Sequence, residues 1–153
     1  MREEDAVTDG RIARVLYEFV RPALRDVSVP LDVAAHHVHG EPIGVEDALR
    51  AHYEPFAVGG AWGGAWDTTW FRVRGTMPDD WAGREVVLGF AIGNAGDTGF
   101  GAEALVWDGG KPVQGLSPNH REHLVARSAR SGERVERYVE AAANPRSPFG
   151  MNP

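Results

Sequence analysis

The sequence predicts a mainly β protein, an antiparallel β-sandwich or barrel preceded by one N-terminal α-helix. Three observations predict this class. One segment near the N-terminus has helical periodicity, the segments beyond Tyr53 alternate or form short apolar runs, and 19 glycines and 10 prolines are scattered among them. Because these glycines and prolines separate β-type segments instead of forming one block, they indicate turns between short strands.

The one convincing helix is predicted over residues 9–24. Its apolar residues recur at steps of three and four, which gives one apolar stripe. Thr8 or Asp9 is expected to cap its start, and Pro22 is expected to kink or end it, because proline lacks the backbone donor. The stripe consists of Ile12, Val15, Leu16, Phe19, Val20 and Leu24.

The 153 residues are enough for one core and too few for two. We therefore predict a helical segment over residues 1–26 and one β-sandwich domain over residues 27–153. Within this domain, "VSVPLDV" indicates an extended segment and "GVEDALRAHY" a short helix at most.

Four segments beyond Tyr53 indicate strands. "TTWFRVRGT" alternates, with Trp70 on one face and Phe71 on the other, whereas the continuous apolar run "REVVLGFAIG" is typical of a strand buried on both faces. "GAEALVWDGGKPVQGL" predicts a hairpin that turns at Gly109-Gly110, a pair suited to positive φ. "ERVERYVEAAAN" predicts a last strand, in which Val135, Arg137 and Val139 face one way.

Composition and charge exclude several classes of function. The 22 acidic and 16 basic residues give a net charge of −6, which opposes nucleic-acid binding because phosphate contacts need basic groups. No apolar run is long enough to span a membrane, and the charged N-terminus lacks the apolar region of a signal peptide. With no cysteine for disulfides or thiolate metal sites, we expect a cytoplasmic protein that binds neither nucleic acid nor membrane.

Trp62, Trp66 and Trp70 are the candidate binding residues, in the glycine-rich stretch "GGAWGGAWDTTW". Their four-residue spacing is that of a helix face, but the glycines and threonines around them oppose a helix. Two interpretations remain open. The indoles seal one end of the sandwich as packed side chains, or they form a platform on which the C–H faces of a sugar stack.

Metal and catalytic candidates are weak. His37 and His39 would converge on one face of an extended segment, and His120 and His123 could meet across one turn, but neither pair has a third ligand at a convincing spacing. We therefore predict no metal site in this chain.

A catalytic site is not predicted in this chain either. Glu103 and Glu140 lie in strand-like segments and could oppose each other as a glycosidase pair, but strand carboxylates of this kind more often pair with arginines. Ser117 and His120 are close in sequence without the surrounding motif of a nucleophile.

The segment of residues 61–90 resembles the one that opens the N-terminal domain of family 38 glycoside hydrolases, the class II α-mannosidases. There, a Trp-Gly, a Trp followed by Ser/Gly-Thr and a Trp-Phe precede a Pro, a Trp and a Gly. Asp67 departs from the pattern, because Ser or Gly is common at that position. The matching residues here are Trp62-Gly63, Trp66, Thr68, Trp70-Phe71, Pro78, Trp81 and Gly83.

Two later blocks resemble the same family. Residues 99–122 are similar to its Glu-(Gly/Ala)-Leu-Val-(Tyr/Trp) hairpin and Gly-x-Pro-x-x-Gly-Leu return, with Ala104 where glycine is usual. Residues 135–150 are similar to the strand that ends in Glu-x-Ala-x-Asn and a Phe-Gly. The matching residues are Glu103 to Trp107, Gly110, Pro112, Gly115, Leu116, Glu140, Ala142, Asn144, Phe149 and Gly150.

The resemblance implies a galactose-binding-like or jelly-roll sandwich that is the non-catalytic N-terminal domain, or a fragment, of an α-mannosidase. In this family a later catalytic region holds zinc through His and Asp side chains and supplies an Asp nucleophile for a retaining mechanism; no His-x-Asp motif occurs here. The implied partners are that catalytic region, α-mannoside glycans through the whole enzyme, and further copies in a homo-oligomer. The alternative is a stand-alone carbohydrate-binding module.

Overall fold

The computed structural model describes residues 3–20, 23, 27–93 and 101–144. The chain divides into two compact units, and the boundary between them in the sequence lies between Pro30 and Leu31. No helix in these described residues is long and apolar enough to cross a membrane.

The first unit contains helix α1, Glu3–Val15, followed by a π-helical turn over Leu16–Val20. The predicted N-terminal helix is therefore confirmed, but it begins at Glu3, so that Thr8 and Asp9 lie inside it and do not cap it. The earlier start is reasonable because glutamate and alanine, which precede Thr8, are good helix formers. The expected break at Pro22 lies outside the described residues.

In its described residues, 31–93 and 101–144, the second unit contains eight strands and a short helix. All strand pairs are antiparallel, in one six-stranded sheet of order β2-β1-β3-β8-β5-β6 and one two-stranded sheet, β4-β7. The predicted fold class, mainly antiparallel β with an N-terminal helix, is confirmed. In chain order the elements are β1 (Asp32–Val38), α2 (Val45–Arg50), β2 (Glu54–Pro55), β3 (Thr68–Thr76), a 3-10 turn (Asp79–Trp81), β4 (Val86–Gly89), β5 (Glu103–Asp108), β6 (Lys111–Leu116), β7 (Glu122–Ala126) and β8 (Arg134–Ala142).

Two local predictions hold in the large sheet. The β5–β6 hairpin turns at Gly109 and Gly110, whose φ angles of 53° and 79° are the left-handed values that glycine adopts without strain. Strand β8 is predicted correctly as the last strand, and it lies between β3 and β5. Its position brings the end of the described chain back to the start of β3, where Thr68 pairs with Ala142.

The main core lies on the face of the large sheet that carries Phe71 and Val73. The small sheet contributes Val86 and Leu88 to this core, whereas Val87 of the same strand is exposed. The prediction of a strand buried on both faces is thus wrong for β4. The run of apolar residues is short, and only alternate side chains reach the core.

The opposite face of the large sheet has its own apolar cluster, which lies under α2. Trp70 is fully buried there together with Val38, Ala48 and Tyr53. The Tyr53 hydroxyl donates to the Ala48 carbonyl oxygen at 3.0 Å, and Arg72 lies 5.0 Å from the centre of the Tyr53 ring. The short helix therefore covers a second layer of side chains on the outer face of the sheet.

Candidate functional site: an apolar tryptophan loop

Residues 57–66, which we call the apolar loop, join β2 to β3 with the sequence AVGGAWGGAW. They carry no charged side chain and no polar group other than the two indole N–H groups. Every residue of the loop is exposed except Trp62, which is half-buried. Charged residues make up 25% of the chain, so an exposed loop without any of them is a distinct surface.

The first part of the apolar loop is fixed to the sandwich. The Phe56 amide, just before it, donates to the Val33 carbonyl oxygen at 2.9 Å. The Trp62 ring packs edge-on against Phe71, with ring centres 5.6 Å apart and an angle of 88° between the planes. Edge-to-face aromatic pairs of this kind add to the stability gained from burial. Trp62 therefore anchors the middle of the loop to the main core.

The second part of the loop is closed by a turn around Asp67. The Asp67 side chain accepts a 2.7 Å hydrogen bond from the Gly64 amide, and the Asp67 amide donates to the Gly64 carbonyl oxygen at 3.0 Å. The amide of Trp66 donates to the Ala143 carbonyl oxygen at 2.9 Å, and the amide of Ala143 donates to the Asp67 carbonyl oxygen at 2.9 Å. Four hydrogen bonds thus determine the backbone on both sides of Trp66.

Trp66 has an unusual conformation within this turn. Its φ angle is 72°, and among the described residues it is the one non-glycine residue with positive φ. Left-handed backbone costs an L-residue with a large side chain about 1–2 kcal/mol. The Trp66 side chain is also 76% exposed. The turn therefore holds an indole in solvent at an energetic cost.

The structure separates the three tryptophans that the sequence singled out. Trp62 packs on the main core, and Trp70 is 0% exposed on the opposite face of the large sheet. Of the three, Trp66 alone has a solvent-exposed ring. They do not form one platform, because the segment is a loop leading into a strand and not a helix. Sugar binding by these residues stays a prediction, now with one exposed ring to carry it.

Glu140 lies in the outer-face cluster and is not paired as predicted. It was expected to contact an arginine; instead, Nε1 of Trp107 donates to Glu140 Oε2 at 3.2 Å. Burial raises the pKa of Glu140, and the hydrogen bond from Trp107 opposes this by lowering it. The nearby arginines have other partners, since Arg74 pairs with Glu136 and Arg137 with Asp108.

The histidines of β1 are held singly. Nδ1 of His36 lies 3.0 Å from the His52 carbonyl oxygen, and Nδ1 of His37 lies 3.0 Å from the Thr69 hydroxyl. Neighbouring strand residues point to opposite faces, so these two rings do not converge. Across the described ranges, no three His, Asp or Glu residues lie close enough together to hold a metal ion.

The two histidines near β7, His120 and His123, lie in different environments. His123 is buried beside Arg137, whose Nε lies 3.4 Å from His123 Nε2; burial first and the arginine second lower the pKa of His123. His120 is exposed, and it contacts Ser117 through its backbone amide, which donates to Ser117 Oγ at 3.2 Å. The imidazole of His120 thus does not form the bond to Ser117 that a base and nucleophile would share.

One shallow, open recess of about 430 Å³ lies at the end of the β5–β6 hairpin. Its polar members come from the first residue of β5, from the edge strand β6 and from the turn that follows it: Glu103, Gln114, Ser117 and His120. Gln114 is bonded to the carbonyl oxygen of Gly115, and Ser117 Oγ to two backbone amides. The polar groups of this recess are therefore largely engaged with their own backbone.

Two features of the apolar loop escaped prediction. Asp67 was noted only as a departure from a family pattern, although its carboxylate closes the turn. The positive φ of Trp66 has no signal in the sequence, because such angles are expected at glycine and four glycines lie in the same loop. The absence of charge over residues 57–66 was readable from the sequence alone.

Comparison with known proteins identifies this antiparallel sandwich as a jelly-roll module. Residues 29–153 match the family model described as "Alpha-mannosidase, jelly roll domain", of the Ams1-like type. The chain belongs to this family of α-mannosidase jelly-roll domains, and its resemblance to α-mannosidases is confirmed.

Individual α-mannosidases are similar to the chain over most of its length. It is 34% identical to human alpha-mannosidase 2C1 over 129 residues, which cover 82% of this chain and 12% of the human protein. It is 35% identical to the mouse protein of the same name over 111 residues, covering 68% of this chain and 10% of that protein. Alpha-mannosidase G of Dictyostelium discoideum is 28% identical over 109 residues, which cover 68% of this chain and 9% of that protein. The chain thus spans about a tenth of the length of these relatives.

Proposed function

We propose that this chain is the non-catalytic N-terminal domain of a zinc-dependent, retaining α-mannosidase of glycoside hydrolase family 38. The observation that carries this proposal is the match of residues 29–153 to a jelly-roll domain that forms one part of much longer mannosidases. In this proposal the whole enzyme is cytoplasmic and removes α-mannosyl groups from glycans. The sandwich packs against the catalytic region, shapes the rim of the sugar site and supports assembly into an oligomer.

The catalytic groups belong outside this chain. The described residues do not fit a zinc ion, since they bring no three suitable ligands together. A retaining glycosidase needs two carboxyl groups about 5 Å apart. Glu140 is the half-buried candidate, and its carboxylate accepts a hydrogen bond from the Trp107 indole, whose ring lies beside that of Trp70. We therefore derive no catalytic step from these residues.

The test is to express the whole open reading frame that encodes this chain and to measure hydrolysis of an aryl α-mannoside. We expect activity that is lost on chelation and restored by zinc. The 153-residue chain by itself, at the same molar concentration, is expected to be inactive. An open frame whose product lacks α-mannosidase activity in the presence of zinc contradicts the proposal.

A second candidate function, a carbohydrate-binding module, is favoured by the exposed ring of Trp66. Calorimetry of the 153-residue chain with mannose and mannobiose tests it. Heat of binding that disappears in Trp66→Ala and persists in Val113→Ala, another exposed apolar residue, supports the module. No heat at millimolar sugar concentration rejects it.

A further inference from the structure

The apolar loop combines two features that cost free energy with a third that holds them in place. It exposes apolar side chains, with Val58 83% and Trp66 76% accessible. It holds Trp66 at a φ angle of 72°. It also fixes the turn with four hydrogen bonds around Asp67 and Trp66, which removes the freedom that would let the indole fold away. Backbone strain tends to cluster at functional sites, and exposed apolar surface tends to mark interaction sites.

The chemistry of the loop favours a protein surface over a sugar as its partner. Sugar sites combine an aromatic surface with polar side chains that bind hydroxyl groups. Residues 57–66 provide none apart from the indole N–H groups, and the nearest carboxylate, Asp67, already accepts the Gly64 amide. An exposed tryptophan whose one adjacent carboxylate is engaged by the backbone is instead characteristic of protein interfaces, where a few aromatic anchors supply most of the affinity.

The position of the loop indicates which protein surface this is. The amide of Trp66 donates to the carbonyl oxygen of Ala143, directly after β8, so the end of the last described strand lies beside the exposed indole. In the human relative the matched part is only 12% of the protein. A region attached by the chain at this point would meet the loop at high effective concentration.

We propose that the apolar loop is the docking surface for the catalytic region of the same polypeptide, with Trp66 as the anchor that enters an apolar pocket of that region. This inference rests on the proposed function, and it adds which residues of the sandwich make the contact. Because the loop is already fixed in the free sandwich, docking costs little ordering of the backbone.

Hydroxyl-radical footprinting read by mass spectrometry tests the proposal. The rate of Trp66 oxidation is compared between the 153-residue chain and the whole mannosidase. We expect Trp66 to react at least about fivefold more slowly in the whole enzyme, because interface anchors are desolvated. Val113, on the exposed edge strand β6, is the internal reference for the radical dose.

The outcomes separate the two proposals. A whole protein that has α-mannosidase activity and equal Trp66 rates in both samples overturns the docking proposal and leaves the proposed function standing. A whole protein without activity overturns the proposed function, as described above. Protection of Trp66 in the 153-residue chain by mannobiose, or by raising the concentration of that chain, assigns the loop to a sugar or to a second copy and also overturns the docking proposal.

The variant Trp66→Gly distinguishes docking from a purely structural role. Glycine tolerates the left-handed φ, so the variant is expected to keep or raise the thermal midpoint of the 153-residue chain. In the whole enzyme the same variant is expected to lower the midpoint and to speed proteolytic release of the sandwich. The control Val113→Ala should change neither protein in this way. A midpoint lowered equally in both proteins contradicts docking.

Discussion

The indole N–H of Trp107 donates a 3.2 Å hydrogen bond to the carboxylate of Glu140, on the face of the large sheet that α2 covers. Trp70 lies directly opposite Glu140 in the register of β3 and β8, and its ring centre is 5.8 Å from that of Trp107. The carboxylate is therefore placed against two indoles. Desolvation outweighs the hydrogen bond, and the pKa of Glu140 is raised.

The stability of the fold is expected to depend on pH through Glu140. Since its pKa is raised on folding from a usual value of 4.5, the folded chain binds more protons than the unfolded chain between these two pKa values. Glu140 therefore makes the free energy of unfolding fall as pH rises from about 4.5 through the raised pKa. Glu140→Gln should remove this part of the fall, which urea denaturation at several pH values measures.

The variant Glu140→Ala separates the contribution of the Trp107–Glu140 hydrogen bond to stability from the effect of Glu140 titration. The glutamine variant keeps an acceptor for Trp107, and it should be at least as stable as the parent at pH 7. The alanine variant leaves the indole N–H without this acceptor and should be less stable than the glutamine variant by about 1–2 kcal/mol. Equal stability of the two variants, or a pH dependence unchanged in both, speaks against this account.

Substitution by alanine is expected to affect the stability of the chain strongly at Trp70 and very little at Trp66. Trp70→Ala removes a fully buried indole and should lower the free energy of unfolding by about 3–5 kcal/mol. Trp66→Ala removes a side chain that is 76% exposed and should change it by less than about 0.5 kcal/mol. Chemical denaturation of the 153-residue chain followed by circular dichroism measures both, and similar losses would mean that the two environments are misassigned.

Gly63 is expected to be intolerant of a side chain. Its φ angle is 62°, and an added Cβ would lie 3.2 Å from the Cβ of Ala143. Gly63→Ala should therefore cost about 1–2 kcal/mol of stability. Gly44 has a φ of −70° with nothing within 4 Å of an added Cβ, so Gly44→Ala is the matched control and should be nearly neutral. Thermal unfolding of the two variants decides whether the turn at Gly63 is as tight as described.

Asp67 is expected to stabilise the turn through its side chain. Asp67→Ala leaves the Gly64 amide without its 2.7 Å acceptor and should cost about 1 kcal/mol. Asp67→Asn keeps an acceptor oxygen and should lose less. Faster amide hydrogen exchange at Gly64 in the alanine variant would locate the effect. An unchanged exchange rate there would refute the assignment of this bond.

Strands β3, β5, β6 and β8 were predictable because local signals and tertiary structure agree, whereas β7 was not predicted. "TTWFRVRGT" alternates, and Trp70 and Phe71 do lie on opposite faces of β3. The Gly109-Gly110 pair demands the hairpin turn that is observed. The burial of β4 was wrong, because an apolar run does not show whether a second layer covers both faces, and only pairing with β7 shows that Val87 lies outside.

The candidate site was less predictable, for a physical reason. In the sequence the three tryptophans look equivalent. Their roles depend on whether each side chain packs on one face of the large sheet, packs on the other face or stays in solvent. Trp62 and Trp70 reach different faces of the sheet, while Trp66 is held away from both by its bond to Ala143, far along the chain. Contacts between distant segments set exposure here, and no local pattern encodes them.

The edges of the large sheet have a consequence for solubility. Strand β2 has only two residues, Glu54 and Pro55, and strand β6 on the other edge contains Pro112. Proline cannot donate a backbone hydrogen bond, so neither border offers a continuous ladder for a strand of another molecule. The short β2 and the proline of β6 thereby hinder edge-to-edge growth of the large sheet into amyloid-like fibres.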